Sequence, residues 1–195
     1  EKIEGQEKVP TLLLHSCCAP CSTYVIEYLS NYFYITVFFY NPNIDQADEY
    51  YKRAQEQQKL ISEMNTQYPV DFFEGEYKVE DFSKIAKPLA NEPEGGIRCF
   101  ACYGLRLKKT AEHAKKYGFD YFTTTLSISP LKNAQKLNEI GEKLQKSVGV
   151  PYLFSDFKKK EGYKRSTQLS KEYNLYRQDY CGCSYSKNAT QPITE

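Results

Sequence analysis

Seven cysteines carry the most reactive side chains of this sequence. They fall into three groups along the chain: Cys17, Cys18 and Cys21, then Cys99 and Cys102, then Cys181 and Cys183. Thiolates bind metals and carry out redox chemistry. An odd number of cysteines in a chain of 195 residues is not typical of a secreted disulfide scaffold, which is short and uses an even count. The pattern therefore favours metal binding, with thiol redox chemistry and a structural role as the alternatives.

The number of thiols indicates more than one metal. Seven thiolates exceed the ligand number of one tetrahedral zinc ion, whereas a four-iron cluster takes four and leaves three for a neighbouring metal. The predicted cluster ligands are Cys17, Cys99, Cys102 and Cys181. The predicted ligands of the second metal, which would also be the catalytic residues, are Cys18, Cys21 and Cys183. A single zinc ion with spare thiols is the alternative.

The spacing supports some of these assignments more than others. Cys99 and Cys102 share one face of a predicted helix, so both can reach one cluster. Spacing alone does not distinguish Cys17 from Cys18 as a further cluster ligand, and it leaves the choice within the C-terminal pair equally open. For Cys21, a buried structural thiol is the alternative to a metal ligand.

The rest of the composition is that of one globular domain. Apolar residues make up 41% and charged residues 26% of the chain, and its length allows one sizeable core. We expect an α/β catalytic domain over residues 11–186, with tails at 1–10 and 187–195. The formal net charge of +1 means that any basic surface must be local. No stretch has the roughly 18 apolar residues of a membrane span, and residues 1–10 lack a secretory signal; we therefore expect a cytoplasmic protein with no membrane partner.

Alternating strand and helix patterns must position the cysteines. Predicted strands lie at 11–16, 35–40, 70–73, 121–128 and 151–154, and predicted helices at 20–32, 48–65, 79–86, 99–117, 133–147 and 166–173. Such alternation is typical of a parallel sheet, here of about five strands, flanked by helices. A site would form beyond the carboxyl ends of the strands, where the first cysteines follow the first strand. His15, at the end of that strand, is predicted to be a hydrogen-bonded structural residue rather than a ligand.

Several longer motifs cover most of the chain. They are His-Ser-Cys-Cys-Ala-Pro at 15–20, Asn-Pro-Asn-Ile at 41–44, Glu-Tyr-Tyr-Lys-Arg at 49–53, Glu-Gly-Gly-Ile-Arg-Cys-Phe-Ala-Cys-Tyr at 94–103, Ser-Pro-Leu-Lys-Asn at 129–133 and Leu-Tyr-Arg-Gln-Asp-Tyr-Cys-Gly-Cys at 175–183. Together they resemble the QueH family, the cobalamin-independent epoxyqueuosine reductases, from Thr11 to Ser186. One departure is that Asp45 and Gln46 stand where the family pattern has His-Pro.

The resemblance implies the last step of queuosine synthesis, the two-electron deoxygenation of epoxyqueuosine in a tRNA with a GUN anticodon. It also implies a single-domain Rossmann-like (HUP-type) fold that holds a [4Fe-4S] cluster beside a mononuclear iron. An iron with an open coordination position would act as a Lewis acid on the epoxide oxygen. The sequence has no glycine-rich nucleotide-binding motif, so we expect an external electron donor.

The predicted tRNA contacts lie mainly in a basic region near the C-terminus, with tyrosines interleaved. Its residues are Lys158, Lys159, Lys160, Tyr163, Lys164, Arg165, Lys171 and Tyr173. Lysine and arginine contacts to phosphates set affinity and its salt dependence, and aromatic rings can stack on unpaired bases. Arg106 and Asn43 are further candidate substrate-binding residues. The alternative is a solvated lysine surface with no role in binding.

Two other functions would also account for the cysteines. One is a zinc-stabilised RNA-binding module without catalysis. The other is a thiol–disulfide oxidoreductase with redox-active thiols at Cys18 and Cys21. Colour after anaerobic purification separates them, because an iron–sulfur protein is brown and a zinc protein is colourless.

Overall fold

A four-stranded parallel sheet forms the centre of the molecule. The computed structural model describes residues 8–190. The strands are β1 (Thr11–Ser16), β2 (Tyr34–Phe39), β3 (Val70–Glu74) and β4 (Tyr121–Thr124), in the order β3-β2-β1-β4. All three strand pairs are parallel. The predicted α/β class is therefore confirmed.

Helices connect and cover the strands. They are α1 (Ala19–Leu29), α2 (Ala47–Glu63), α3 (Val79–Ala86), α4 (Ile97–Tyr117), α5 (Ala134–Val148), α6 (Gly162–Glu172) and α7 (Ser184–Thr190). Short 3-10 turns follow α3 at Lys87–Leu89 and β4 at Thr125–Ile128. Among residues 8–190, no helix is both long enough and apolar enough to cross a membrane.

The prediction of about five strands is one too many. The predicted strand at 151–154 is reduced to an isolated bridge between Tyr152 and Phe122. The predicted fourth strand also runs too far, because β4 stops at Thr124. The Thr124 side chain accepts a hydrogen bond from the Leu126 amide at 3.1 Å and starts the 3-10 turn. A threonine side chain that bonds to a nearby amide in this way competes with the strand ladder.

Strand β1 lies between two apolar layers. Leu13 packs against Phe38, Leu107 and Phe122 on the face covered by α4 and α5. The alternate residue Leu14 packs on the other face, with residues of α1. Side chains of a strand alternate between faces, so a strand buried on both sides is apolar throughout. Burial on both faces therefore accounts for the continuous apolar run at 12–14.

The C-terminal part differs most from the sequence-based description. Helix α6 begins at Gly162, four residues before the predicted start, and a Cβ at this position would overlap the Phe157 carbonyl oxygen. Helix α7 was not predicted, and it runs to residue 190, past the predicted domain end at 186. The domain bounds of 11 and 186 stay predictions. Of the predicted tails, residues 1–7 and 191–195 lie outside the described part of the chain.

Candidate metal centre

A cavity of about 370 Å³ opens beyond the carboxyl ends of β1, β2 and β4. Six of the seven cysteines line it: Cys17, Cys21, Cys99, Cys102, Cys181 and Cys183. The remaining one, Cys18, is buried directly behind Cys17. The predicted assembly of all three cysteine groups at one edge of the sheet is therefore confirmed.

Cys17, Cys18 and Cys21 form a compact set, here called the turn group. Their sulfur atoms all lie within 4.8 Å of one another, and those of Cys17 and Cys18 are 3.7 Å apart. Bonds of about 2.3 Å from sulfur to one tetrahedral ion would place two sulfurs roughly 3.8 Å apart. The turn group therefore has the dimensions of a site for a single ion.

Local structure fixes the turn group. Cys18 has extended backbone before α1, and Pro20 occupies the first turn, where its missing amide hydrogen costs no hydrogen bond. Beneath the turn, Gln57 of α2 accepts hydrogen bonds from the hydroxyls of Ser16 at 2.6 Å and Ser22 at 2.7 Å. Ser22 also donates to the Cys18 carbonyl at 3.0 Å. A buried polar network thus holds the segment that carries these thiols.

The other four thiols, here called the distal group, come from two separate parts of the chain: Cys99, Cys102, Cys181 and Cys183. Cys99 and Cys102 lie in the first turns of α4, as predicted. Within residues 8–190, only the turn group brings three ligand atoms within 4.8 Å. The thiols of the distal group are more widely spaced. That spacing suits a cluster, since each thiolate of a cubane binds a different iron atom.

Arg53 of α2 holds the C-terminal part of the distal group. Its guanidinium is 2% exposed and donates to the carbonyl oxygens of Cys181 at 3.1 Å and Tyr180 at 3.4 Å. It also pairs with Glu49, one turn earlier on α2, at 2.6 Å. Glu49 in turn accepts from the Tyr176 hydroxyl at 3.0 Å. The irregular segment before Cys183 is therefore fastened to α2 by hydrogen bonds to both members of a largely buried ion pair.

The loop after β2 provides a second attachment. The Asp45 amide donates to the Gly182 carbonyl at 3.4 Å, and the Asp45 carboxylate accepts from the Ser184 amide at 2.7 Å. Gly182 has a φ of 121° and lies against Ile44, where an added Cβ would be 2.8 Å from the isoleucine side chain. Only glycine adopts such a backbone without strain. Asp45 thus caps α7 from the loop that follows β2.

The thiols of the turn group share protons unequally. Hydrogen bonds from Cys18 and Cys21 hold the pKa of Cys17 well below its usual range. The reciprocal bond to Cys17 raises the pKa of Cys18 to about 12, and the same contacts raise that of Cys21. One thiolate is thus stabilised by two neutral thiols. Three thiolates in this space would require a cation to balance them.

Positive side chains surround the thiols. Arg106 is 1% exposed and donates to Cys102 Sγ at 3.7 Å. Burial disfavours its charge, but the neighbouring Cys102 and Cys17 outweigh burial and raise the pKa of Arg106. Lys132, from the loop before α5, also lines the cavity, and nearby Cys181 raises its pKa against the effect of burial. The site is therefore arranged for negatively charged thiolates.

His15 is a structural residue, as predicted. Burial and the charge of Arg106 lower its pKa to about 3, so the ring is neutral. Its Nδ1 lies 2.9 Å from the Thr124 hydroxyl, and its Nε2 lies 3.4 Å from Arg106 Nε. His15 therefore links β1 to β4 and positions Arg106.

The predicted substrate-binding residues divide into two sets. Asn43, Arg106 and Tyr163 line the cavity with the thiols. The basic residues outside that cavity are Lys158, Lys159, Lys160, Lys164, Arg165 and Lys171. Several of these are paired with acids: Lys158 and Lys159 with Asp156, Lys164 with Glu161, and Arg165 with Glu27.

Sequence reasoning gave no role to Arg53, Lys132 and Gln178, which also line the cavity. All three lie in the motifs at 49–53, 129–133 and 175–183, so their positions were visible while their contacts were not. The spacing of Glu49 and Arg53, one helical turn apart, was the available signal for an ion pair.

Comparison with known proteins identifies relatives over most of the chain. The model of one family, described as Epoxyqueuosine reductase QueH, matches residues 12–189. A protein of that name from Streptococcus pyogenes serotype M1 is 48% identical over 188 residues, which are 95% of this chain and 74% of the relative. The protein of the same name from Staphylococcus epidermidis is 47% identical, over 91% of this chain and 76% of the relative. The namesake from Thermotoga maritima is 37% identical and covers 90% of each chain.

Proposed function

The chain belongs to the QueH family, and we infer from that membership that it is an oxidoreductase, an epoxyqueuosine reductase that acts on tRNA. The reaction adds two electrons and two protons to an epoxide and gives an alkene and water. One observation carries this conclusion: the family match at 12–189 includes all seven cysteines, which the fold gathers around one cavity. Thiols on both walls of one cavity suit redox chemistry on a bound substrate.

The finer proposal concerns the metals. We assign a mononuclear iron to the turn group, Cys17, Cys18 and Cys21, and a [4Fe-4S] cluster to the distal group, Cys99, Cys102, Cys181 and Cys183. The sulfur–sulfur distance of 3.7 Å supports a single ion at the turn group. The sequence-based partition stays the alternative. It differs by exchanging Cys17 and Cys183 between the two sites.

The residues present fit these groups. Arg106 Nη2 is buried, and no acceptor within the described residues reaches it. Sulfide ions of a cluster at the distal group would accept from such a donor, as clusters commonly do. The Gly95 amide already donates to Cys99 Sγ at 3.2 Å, which stabilises a thiolate. Donors and positive charge therefore converge where a negatively charged cluster would be held.

The chain's own residues bind and orient the substrate. When bound, the cluster would supply single electrons and the iron a Lewis acid for the epoxide oxygen. Tyr163, 42% exposed, and Leu131, 82% exposed, are apolar surfaces on the lining of the cavity. They offer contact area for the modified base and exclude water around it. Lys132 and Arg106 line the same cavity, and their positive charge would stabilise the oxygen as it leaves the carbon ring.

The partner is a tRNA with a GUN anticodon, and the reaction takes place in the cytoplasm. The electrons come from a separate donor protein. The tRNA phosphates would lie along α6, because Tyr163 at its start lines the cavity. Within residues 8–190, neither Lys160 nor Lys171 forms an ion pair, whereas Lys158 is held by Asp156 at 2.7 Å. Lysines without an ion pair contribute most to phosphate binding, because they do not first have to break a contact with a carboxylate.

A salt titration tests this path. Replacing both Lys160 and Lys171 with alanine should weaken tRNA binding and reduce the slope of log affinity against log salt by about 1 per lost phosphate contact. Lys146→Ala is the matched control, because Lys146 is paired with Glu142 on α5. A slope equal to that of the wild type would show that α6 is only a solvated surface.

Anaerobic purification tests the function itself. The protein should be brown, contain iron and sulfide, and convert epoxyqueuosine to queuosine in tRNA when a reductant is supplied. A colourless protein with about one zinc would support the non-catalytic module. A colourless protein that cycles between thiol and disulfide would support the oxidoreductase that uses Cys18 and Cys21.

A further inference from the structure

Two amide oxygens beside the thiols have no hydrogen-bond donor. Asn43 Oδ1 and Gln178 Oε1 are both buried, and no donor within the described residues reaches either atom. Both side chains line the cavity that holds the cysteines. Buried carbonyl oxygens are nearly always paired, so each such exception requires an explanation. Their common location suggests that the occupant of the cavity supplies the donors.

The Asn43 side chain is held in place by its surroundings. Asn43 is 2% exposed and follows β2 in a turn closed by the Ile44 amide, which donates to the Asn41 carbonyl at 3.1 Å. Its amide nitrogen lies close to the backbone of Gly182, in the segment between two distal-group cysteines. Asn43 is therefore a buried residue that lines the cavity beside the segment carrying Cys181 and Cys183.

Gln178 approaches from the C-terminal segment. It lies between two anchors on α2. The Tyr176 amide donates to Glu56 at 3.0 Å, and the Tyr180 carbonyl accepts from Arg53 at 3.4 Å. The backbone on either side of Gln178 is thus fixed to the same helix. Asn43 and Gln178 therefore reach one cavity from two independently anchored segments.

The chemistry of the substrate matches these acceptors. The carbon ring of epoxyqueuosine carries two hydroxyl groups beside the epoxide, and a hydroxyl can donate to a neutral amide oxygen. A cationic group would instead be matched by a carboxylate. We propose that Asn43 and Gln178 accept hydrogen bonds from the two ring hydroxyls and so select the substrate. This rests on the proposed function and extends it from the metals to recognition of the ring.

Binding measurements test the proposal without depending on turnover. The affinity of the anaerobic holoprotein is measured for two forms of one tRNA, carrying epoxyqueuosine or guanine at the wobble position. Gln178→Met preserves side-chain length and removes the acceptor, and Asn43→Ala removes the other. Each variant should reduce the preference for epoxyqueuosine about 5- to 10-fold, the usual worth of one hydrogen bond. Affinity for the guanine form should not change.

Asn41 offers a matched control. Its Oδ1 is also buried without a donor among the described residues, but the side chain does not line the cavity. Asn41→Ala should leave the preference intact although it removes a hydrogen bond to the Ser16 carbonyl. An unchanged preference in Gln178→Met would overturn the proposal even if the Asn43 variant fails to fold. A wild type that does not prefer epoxyqueuosine would overturn the proposed function, and this inference with it.

Discussion

The turn group and the distal group reach the same cavity by different routes. The turn group is contained in residues 17–21, from the buried end of β1 to the first turn of α1. The distal group combines the start of α4 with a segment about 80 residues later in the chain. That segment has no strand or helix of its own before α7. The first site therefore uses one short stretch of chain, whereas the second requires two distant segments to meet.

This difference identifies where the centre is vulnerable. The turn group is supported by buried strand residues, by a hydrogen bond within its own turn and by Gln57 of α2. The C-terminal cysteines depend on Arg53 and Asp45, which lie more than a hundred residues away in sequence. Changes at these two residues should damage the distal group and spare the turn group.

The largest effect is expected for Arg53→Met. It removes the donors to two carbonyl oxygens and leaves Glu49 without its partner. Removing one member of a fully buried ion pair costs about 3 to 5 kcal/mol. Glu49 is 13% exposed and keeps its hydrogen bond from the Tyr176 hydroxyl, so we expect a loss near the lower end of that range. Chemical denaturation should show that loss in the apoprotein, and the reconstituted protein should lose sulfide.

Arg165→Met is the control for this prediction. Arg165 also forms a bidentate pair, with Glu27, but both side chains are over a third exposed. An exposed pair contributes about 1 kcal/mol or less. Equal losses in the two variants would contradict the special role of Arg53.

A smaller effect is expected for Gly182→Ala. The φ of 121° is unfavourable for alanine, and its Cβ would press on Ile44. Backbone strain of this kind costs about 1 to 3 kcal/mol. The turn group contains no residue with a positive φ, so it has no equivalent position. The melting temperature and the sulfide content should both be lower in this variant than in the wild type. A wild-type melting temperature with full sulfide content would show that this backbone strain is not significant.

The smallest effect is expected for Asp45→Ala. Loss of a carboxylate that accepts from the first amide of a helix costs about 1 kcal/mol. Cluster release on exposure to a chelator should become faster, whereas iron in the turn group should be unaffected. Asp45→Asn keeps an oxygen acceptor for the Ser184 amide and should behave nearly as the wild type. If Asn and Ala behave alike, the hydrogen bond to Ser184 is not what holds α7.

Sequence patterns predicted those features that depend on local structure. Strand β1 and helix α4, with its Gly118 cap at a φ of 73°, follow from apolar spacing and glycine placement. The collection of the cysteines at one edge follows from the parallel sheet. The prediction of a further strand around Tyr152 was wrong, because a short apolar run does not show whether a neighbouring strand is available to pair with it.

The contacts within the centre could not be predicted in the same way. The proximity of Cys17 to Cys18 depends on the rotation of one peptide unit at the end of β1, which residue spacing does not specify. Helix α7 is short, and it is fixed by Asp45 together with an apolar contact made by Tyr185. The unpaired oxygen of Gln178 belongs to a segment that is held by two contacts distant in sequence. Such features arise from tertiary packing and leave no periodic signal in the sequence.

Iron and sulfide analysis of Cys17→Ala and Cys183→Ala tests the central claim, because these two residues exchange sites between the two partitions. Both variants are reconstituted anaerobically beside the wild type. We expect Cys17→Ala to keep the sulfide content and cluster spectrum of the wild type and to lose about one iron, and Cys183→Ala to lose most of its sulfide. The opposite result, with sulfide lost in Cys17→Ala and retained in Cys183→Ala, would contradict it.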